Sequence, residues 1–350
     1  MINPLASDLD HILSHTHNLW EEVREKQVFI TGGTGFFGCW LLESFAWAND
    51  KLELNSTVHV LTRNIQAFTS KAPHLACHPA IKFHFGDITS FEFPNTKFSH
   101  VIHAATEVNV ANNYNKSLEI FNTITEGTKR ILELAIQCEA EKFLLTSSGA
   151  VYGKQPSSMT HILEDYQGSP DLMSLKSAYA EGKRVSEFLC KNYADMYGFE
   201  CKIARCFAFI GAYLPLDSHL AIANFIKAGL QNFPINIQGD GMTYRSYMYM
   251  SDLTIWLWTI LFKGESCYPY NVGSDKLITI AELAHLVSKV FGNNQLVHIA
   301  KKHDPSQPVE RYVPSIQRAF DSLNLKPTIS VEDSISRSIN WYSQTEVSYV

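Results

Sequence analysis

The feature that most constrains the fold is an alternation of short apolar runs and helical patterns between residues 28 and 207. Six runs predict strands: Val28–Ile30, Val58–Leu61, Ile81–Phe85, His100–His103, Phe143–Thr146 and Cys201–Phe207. Longer stretches between them predict helices, among them Phe36–Trp47, Ile120–Ile136 and Tyr179–Tyr197. Strands separated by helices pair in parallel through right-handed crossovers. We therefore expect an α/β protein with a doubly wound parallel sheet.

The chain extends beyond this alternation on both sides. Apolar residues at helical spacing predict a helix from Asp8 to Arg24. After Phe207, further helices are predicted at 219–230, Ile255–Phe262 and Thr279–Val290, and a β-hairpin at 234–249 that turns at Gly239–Gly241. We expect two domains: residues 1–204 with 248–273, of which 1–24 are a helical extension, and a smaller C-terminal α/β lobe of 205–247 with 274–350.

Three glycines lie between the first predicted strand and the helix that follows it: Gly32, Gly35 and Gly38. In this context Gly32 permits a tight turn, and Gly35 lets the backbone approach a pyrophosphate. Gly38 lets the helix pack on the strand. Free N–H groups at the helix start then bind phosphate. The motif indicates dinucleotide binding, the alternative being a glycine-rich turn without a ligand.

Composition and charge narrow the functional classes. In this chain of 350 residues, 45% are apolar and 18% charged, which is typical of a globular protein. A net charge of −6 gives no basic footprint for nucleic acid, and no apolar run approaches the roughly 18 residues that span a bilayer. Seven cysteines without a CxxC pair, and an N-terminus unlike a signal peptide, predict free thiols in the cytoplasm. His15 and His17 are interpreted as a helix surface, so we expect no metal site.

Further motifs follow in order along the chain. They are TGGTGFFG at 31–38, GDI at Gly86–Ile88, HAAT at His103–Thr106, TSSGAVYG at Thr146–Gly153, YAEGK at Tyr179–Lys183, YRS at Tyr244–Ser246 and YNVGS at Tyr270–Ser274. With this set the chain resembles the extended short-chain dehydrogenase/reductase superfamily, in its NAD(P)-dependent nucleotide-sugar epimerase/dehydratase family. The resemblance implies a Rossmann-like fold, a nicotinamide cofactor and a nucleoside-diphosphate sugar as substrate. It also implies a homodimer built from the helices at Ile120–Ile136 and Tyr179–Tyr197.

The same resemblance assigns residues to the cofactor. The turn would contribute Gly32, Thr34, Gly35, Phe36, Phe37 and Gly38. Asp87 and Ile88 would contact the adenine, and Ala104, Ala105 and Thr106 would line the nicotinamide side. Each has a structural alternative, since Asp87 could cap a turn and the alanines could serve close packing.

Ser148, Tyr179 and Lys183 are the predicted catalytic residues. Tyr179 and Lys183 are four residues apart on a predicted helix, so their side chains share one face. A free tyrosine has a pKa near ~10, and a nearby ammonium favours the phenolate, so we expect the pKa of Tyr179 to be lowered. Ser148 would donate to the same substrate oxygen. Together they would move a proton at a sugar hydroxyl while hydride passes to or from the nicotinamide, which Tyr179 and Lys183 would also contact.

The two residues after Ser148 separate the reactions within the family. The 4,6-dehydratases that this chain resembles carry Asp-Glu there and the decarboxylases keep the Glu, whereas this chain has Gly149 and Ala150. Neither transfers a proton, so a hydride step at C4 of the sugar is favoured over dehydration or decarboxylation. Glu107, after HAAT, would line the substrate or be structural.

The end of the second predicted strand bears on the choice of cofactor. NAD-binding proteins usually have an acid there that accepts from the ribose hydroxyls, and this chain has Thr62. Arg63, the next residue, offers a guanidinium to a 2′-phosphate or stacks on the adenine. NADP(H) is therefore favoured over NAD(H), and a 4-keto sugar reductase is narrowly favoured over a 4-epimerase.

Two arginines are candidates for the substrate diphosphate. Arg245 and Arg311 fall where relatives clamp that group, the alternative for each being a surface salt bridge. Ala208 replaces an Asn that commonly contacts substrate in the family. A dinucleotide-sensing binding protein is the non-enzymatic alternative, although such proteins usually lose the Tyr–Lys pair that this chain keeps.

Overall fold

A computed structural model describes residues 3–105, 116–292 and 296–346. The helices are α1 (Ala6–Thr16), α2 (Phe36–Leu52), α3 (Ile65–Lys71), α4 (Pro73–Ala76), α5 (Ser117–Gln137), α6 (Ala178–Tyr197), α7 (Ala221–Leu230), α8 (Met250–Lys263), α9 (Ile280–Val290), α10 (Gln317–Leu323) and α11 (Val331–Glu346). The strands are β1 (Gln27–Thr31), β2 (Thr57–Thr62), β3 (Ile81–Phe85), β4 (His100–His103), β5 (Lys142–Ser148), β6 (Glu200–Cys206), β7 (Phe209–Ile210), β8 (Ile235–Ile237), β9 (Tyr244–Arg245), β10 (Met248–Tyr249), β11 (Pro269–Val272), β12 (Ile278–Thr279), β13 (Val297–Ile299) and β14 (Arg311–Tyr312).

Seven strands form the central sheet, in the order β11-β6-β5-β4-β1-β2-β3. The pairings among β1 to β6 are parallel, with Val28 beside Val58 on one side and beside His100 on the other. The strand order reverses at β1, which lies between β2 and β4. The doubly wound parallel sheet expected from the sequence is therefore confirmed. Its switch point lies at the carboxyl ends of β1 and β4, where folds of this kind bind ligands.

The central strands of the sheet are buried on both faces, whereas the edge strand β3 is partly exposed. Val28, Phe29 and Ile30 have no exposed surface. One core layer joins the sheet to α5 and α6 and includes Phe29, Phe98, Val101, Ile131, Leu132, Phe143, Leu145, Cys190 and Cys201. Burying one such large side chain contributes roughly 1.5–3 kcal/mol. This packing holds the sheet and the two helices together, and the candidate site residues lie at the ends of its strands.

The N-terminal extension differs from the single helix expected over Asp8–Arg24. It is α1 followed by a 3-10 helix, His17–Val23. In a 3-10 helix the side chains at i and i+3 eclipse, so Trp20 and Val23 point to one side, and both are fully buried. The Trp20 ring lies 4.7 Å from that of Trp258. The tighter turn therefore lets the extension join the core.

Contacts divide the chain into two compact units. The first is Met1–Gly153, Ser169–Cys206 and Thr254–Tyr270, and the second is Lys154–Gly168, Phe207–Leu253 and Asn271–Val350. Residues 154–168, 248–253 and 271–273, which the expected division assigns to the first domain, fall in the second unit, and residues 205–206 fall in the first. The second unit contains three small sheets, β10-β7, β12-β9-β14 and β13-β8, with α9 packed against α7 and α11.

The hairpin expected at 234–249 is wrong. β8 pairs in parallel with β13, whereas β9 pairs with β12 and β14. The segment 238–243 between β8 and β9 is longer than the roughly 2–5-residue loops that close hairpins. Each strand instead pairs with a segment more than thirty residues away in sequence, such as Ile237 with Ile299 and Tyr244 with Arg311.

No helix in the described part of the chain combines the length and apolar character that crossing a membrane requires.

Candidate active site

The glycine-rich turn joins β1 to α2 at the switch point. Gly32 has a φ of +72°, and a Cβ there would lie 2.5 Å from the carbonyl carbon of Ala104. A Cβ at Gly38 would lie 2.1 Å from the Gly32 oxygen. Gly33, which the sequence analysis did not single out, is also tight, since its Cβ would lie 2.7 Å from Val60 Cγ1. These glycines are required by backbone conformation and by close packing.

Gly35 differs from its neighbours because space surrounds it. An added Cβ would meet only the Gly32 oxygen, at 3.2 Å. Gly35 N–H donates to that oxygen over 3.0 Å, and Phe36 and Phe37 then begin the 17-residue helix α2. An open glycine at the N-terminus of a long helix fits the pyrophosphate of a dinucleotide, which the helix N–H groups would bind.

The residues after β2 and β3 lie on the side of the turn where the adenosine would bind. Arg63 Nη1 is 3.9 Å from Asp87 Oδ2. Asp87 accepts hydrogen bonds from the hydroxyl (2.6 Å) and backbone N–H (3.0 Å) of Thr89, and these bonds, with the charge of Arg63, lower the pKa of its carboxyl. Asp87 therefore does cap a turn. Ile88 packs against Gly127 of α5 and is partly buried beside the core.

The loop after β4 is tied to β1. Ala104 N–H donates to the Thr31 carbonyl over 3.1 Å, and Ala105 N–H to the Thr31 hydroxyl over 3.3 Å. These bonds hold both alanines against Gly32. Thr106 and Glu107, also assigned to the site from the sequence, lie outside the described residues.

A buried chain of hydrogen bonds runs from this loop to α6. His103 Nδ1 is 2.7 Å from Thr31 Oγ1, and its Nε2 is 3.2 Å from Thr128 Oγ1 on α5. Thr128 Oγ1 is in turn 2.8 Å from Ser186 Oγ on α6. Burial, with the charge of Lys183, lowers the pKa of His103 to about 3, so this imidazole is neutral. The sequence analysis quoted His103 in a motif but gave it no role.

Ser148, Tyr179 and Lys183 meet at the carboxyl end of β5. Ser148 is the last residue of β5, and its side chain lies within hydrogen-bonding reach of the Tyr179 hydroxyl. Lys183, one turn along α6 from Tyr179, is almost fully buried and donates to the Thr146 carbonyl over 2.8 Å. Gly149 and Ala150 begin the 3-10 helix Gly149–Tyr152, which the Ser148 hydroxyl caps by accepting from Ala150 N–H at 3.1 Å. The predicted catalytic residues are therefore close in space.

The pKa of Tyr179 moves in the direction opposite to that expected from the sequence. Burial raises it to about 12, against the hydrogen bond with Ser148, which acts to lower it. Burial also lowers the pKa of Lys183 to about 8. Sequence spacing predicts the shared helix face, but not that Lys183 is fully buried and Tyr179 partly buried. At neutral pH Tyr179 is protonated.

Three further residues around this set were not found from the sequence. The Cys206 thiol, at the end of β6, lies near Tyr179 and Lys183, and burial raises its pKa to about 12 against the charge of Lys183. Glu187 accepts from the Ser147 hydroxyl over 2.5 Å and pairs with Arg205 over 2.7 Å. The only sequence signal is that Glu187 follows Lys183 by four residues on one helix, since Ser147 and Arg205 are distant in sequence.

Arg245 and Arg311 lie on adjacent strands of the second unit. The register pairs Arg311 with Tyr244 and Tyr312 with Arg245. Because neighbouring side chains on a strand alternate between faces, the two arginines start on opposite faces of this small sheet. Arg311 is on an edge strand, where its Nη1 donates to the Ser157 carbonyl over 3.0 Å, and its Nε is buried without a hydrogen-bond partner among the described residues. Neither forms an ion pair with a described carboxylate.

The known proteins that this chain resembles in sequence or structure include decarboxylases and epimerases. A UDP-glucuronic acid decarboxylase of Arabidopsis thaliana is 28% identical over 90% of this chain and 69% of its own length. An epimerase of Methanothermobacter thermautotrophicus has a similar structure, with a TM-score of 0.78 at 21% identity over 99% of this chain and 98% of the other. The UDP-glucuronic acid 4-epimerase of Bacillus cereus, solved with UDP-glucuronic acid and NAD, has a TM-score of 0.76 at 20% identity over 91% of this chain and 99% of the other.

These structural likenesses confirm the Rossmann-like fold predicted from the sequence. The family model of NAD-dependent epimerases and dehydratases matches residues 28–273, which contain the glycine-rich turn and the Ser–Tyr–Lys set. The chain belongs to the NAD-dependent epimerase/dehydratase family.

Proposed function

We propose that the protein is a nicotinamide-dependent oxidoreductase that transfers hydride at C4 of a nucleoside-diphosphate sugar. The observation that carries this proposal is the arrangement at the end of β5, where the Ser148 hydroxyl is within hydrogen-bonding reach of the Tyr179 hydroxyl and Lys183 follows Tyr179 by one helical turn. A tyrosine and a serine that converge on one point suit a single substrate oxygen.

The chain's own residues would act on that oxygen. A bound nicotinamide would accept or supply the hydride. Ser148 would hold the C4 oxygen by a hydrogen bond, while Tyr179 moves the proton at the same atom. Lys183, fixed by the Thr146 carbonyl, would supply positive charge beside Tyr179. His103 and Glu187 would hold the strand ends and α6 that carry these groups.

Reduction of a 4-keto sugar remains narrowly favoured over 4-epimerisation. The support is the local signal for NADP(H) at Thr62 and Arg63, since ketoreductases draw on NADPH, and a protonated Tyr179 would donate to the ketone oxygen as hydride arrives. The epimerases among the similar structures support the alternative, in which Tyr179 must first accept a proton.

Decarboxylation and dehydration are disfavoured although decarboxylases are among the similar proteins. Dehydration needs an acid for the leaving C6 hydroxyl and a base for the C5 proton, and decarboxylation needs a proton returned to C5 after carbon dioxide leaves. The family resemblance assigns these proton transfers to the positions that Gly149 and Ala150 occupy here. Loss of a positioned proton-transfer group typically costs about 10²–10⁴-fold in rate.

NADP(H) is proposed over NAD(H), although the Bacillus cereus enzyme holds NAD. The support is local to this chain: Thr62 stands where an acid would accept from the ribose, and Arg63 follows it. Arg245 and Arg311 are proposed for the substrate diphosphate. Since they start on opposite faces of their sheet, Arg311 would reach the same anion only around the sheet edge.

Two measurements on the purified protein test this function. Mass spectrometry after denaturation identifies any dinucleotide or nucleotide sugar that copurifies. Oxidation of NADPH that depends on added nucleoside-diphosphate 4-keto sugar is the expected activity. Dinucleotide binding without any turnover of keto or hydroxy sugars would instead favour the sensing protein.

A further inference from the structure

A second cation lies beside the glycine-rich turn, and nothing in the sequence motifs points to it. Lys71 is the last residue of α3, and its Nζ donates to the Thr34 carbonyl within the turn over 3.0 Å. The ammonium also lies within hydrogen-bonding reach of the Cys39 thiol on α2. Lys71 is thus held at the turn although α3 follows β2 in the chain.

The sheet register places the end of β2 next to the turn. Thr31 pairs with Leu61, so Thr62 lies beside Gly32. In dinucleotide-binding folds the residue at this strand end faces the adenosine ribose, and an acid there accepts from the 2′-hydroxyl. Thr62 has no charge and is largely buried, with its hydroxyl accepting from Asn64 N–H at 3.2 Å. Arg63 and Lys71 begin and end the segment that follows.

We propose that Lys71 and Arg63 together form a subsite for the 2′-phosphate of NADP(H). This inference rests on the proposed nicotinamide cofactor and adds a specificity residue to it. A phosphomonoester carries about −1.5 to −2 charges at neutral pH. Arg63 supplies a planar fork and Lys71 a point charge, a combination that suits such a group.

Two neighbours bear on the strength of this subsite. The Asp87 carboxylate lies 3.9 Å from Arg63 and offsets part of the positive charge. The net charge of Arg63, Lys71 and Asp87 together is therefore +1. The pyrophosphate has its own donors in the N–H groups at the start of α2, so it does not need Lys71.

Binding of NADPH and NADH to the full-length protein, followed by quenching of intrinsic fluorescence, tests the proposal without reference to turnover. Lys71→Met is expected to raise the Kd for NADPH at least about threefold and to leave that for NADH unchanged. The double variant Arg63→Ala/Lys71→Met is expected to raise the Kd for NADPH at least about tenfold. Lys71→Arg is expected to keep the wild-type preference for NADPH over NADH. The preference for NADPH should also weaken with added salt. Lys51→Met is the matched control, since Lys51 lies at the opposite end of α2.

Three results would overturn the proposal: no preference of the wild type for NADPH, no effect of Lys71→Met, or an equal loss of NADPH and NADH. The last would place Lys71 at the pyrophosphate that both dinucleotides share. The measurement is of binding, so it tests the subsite separately from the proposed function. If the binding results are as expected but the protein turns over no nucleotide sugar, the proposed function is refuted and the subsite is still supported.

Discussion

At the scale of single residues, the candidate chemistry depends on how one hydroxyl and one ammonium are held. The hydrogen bond from Ser148 and the burial of Tyr179 act on the same phenol in opposite directions, and burial prevails. Lys183 is fixed by a backbone carbonyl, so its position does not depend on a flexible partner. The Lys183 ammonium is therefore held by the backbone of β5 on the helix that carries Tyr179.

Tyr179→Phe removes the proton-transferring hydroxyl and leaves the ring in place. Turnover is expected to fall at least about a hundredfold, as for loss of a general acid or base. The Kd for the dinucleotide, measured by fluorescence, should change little. Tyr193→Phe on the same helix is the control, and it should behave as the wild type. Near-normal turnover by Tyr179→Phe would exclude this residue from catalysis.

Lys183 also predicts a pH dependence of stability. Its pKa is about 8 in the folded protein because of burial, and near ~10.4 in an unfolded chain. Between those values the unfolded state binds more protons, so the free energy of unfolding rises with pH through this group. The free energy of unfolding, measured with urea, should increase between pH 7.5 and pH 9.5. The increase should be roughly 2 kcal/mol larger in the wild type than in Lys183→Met.

The exposed Lys191, which pairs with Asp195 on the same helix, gives the control Lys191→Met. That variant should keep the wild-type dependence on pH. If Lys183→Met keeps it as well, Lys183 is not desolvated as the structure indicates.

At the scale of elements, local patterns predict what local contacts determine. The six predicted strands of the sheet and the helices around the glycine-rich turn are observed, because each has an apolar run or a glycine context of its own. The hairpin prediction fails because β8 and β9 take partners that are remote in sequence. β11 was quoted within the motif YNVGS but not recognised as a strand, since Pro269 and Asn271 interrupt its apolar run.

The candidate site likewise contains residues that local sequence patterns predict and residues that they do not. Ser148, Tyr179 and Lys183 belong to motifs with fixed spacing, so sequence finds them. Cys206 and Lys71 reach the site through the sheet and through α3, and no spacing in the sequence places them there. Glu187 follows Lys183 by four residues on α6, but its partners Ser147 and Arg205 are distant in sequence. The direction of the Tyr179 shift was missed for a related reason, since burial depends on the whole fold.

The N-terminal 3-10 helix is held to the sheet by Glu22. Its carboxylate contacts His100 Nε2 at 3.1 Å and Lys142 Nζ at 2.5 Å. Burial acts to raise the pKa of Glu22, but these two hydrogen bonds outweigh it and lower the value to about 2. The stabilisation is therefore present above the ordinary pKa of a glutamate and is lost as pH falls towards about 2.

Glu22→Gln should reduce the free energy of unfolding by about 1–3 kcal/mol at neutral pH. The difference from the wild type should shrink as the pH falls below about 4. Denaturant unfolding at several pH values measures both effects. Glu21→Gln, next to it but exposed and paired only with Arg24, should change stability little. Equal effects of the two variants would contradict this role of Glu22.

At the scale of the whole molecule, the surface of α6 predicts how copies associate. α5 and α6 pack against each other in the first unit, yet Phe188 and Met196, eight residues apart and so on one side of α6, are 67% and 72% exposed. Apolar side chains grouped on one helix indicate an interface. The homodimer expected from the family resemblance therefore remains a prediction with a defined surface.

Light scattering of the purified protein at micromolar concentration should give twice the mass of the chain. Phe188→Asp should shift it towards the monomer, because a charge on this face opposes burial. Phe233→Asp, which changes an equally exposed phenylalanine of the second unit, should remain a dimer. A wild-type monomer would rule out this assembly.

The central claim is that the protein performs a hydride step at C4 and no elimination. The most direct measurement is to incubate it with NADPH, NADP⁺ and a panel of nucleoside-diphosphate hexoses and 4-keto sugars, and to follow the mass and stereochemistry of the products. A gain of two hydrogens on a 4-keto sugar, or a C4 epimer of unchanged mass, is expected. Loss of one water or of carbon dioxide from a sugar at a catalytic rate would contradict it.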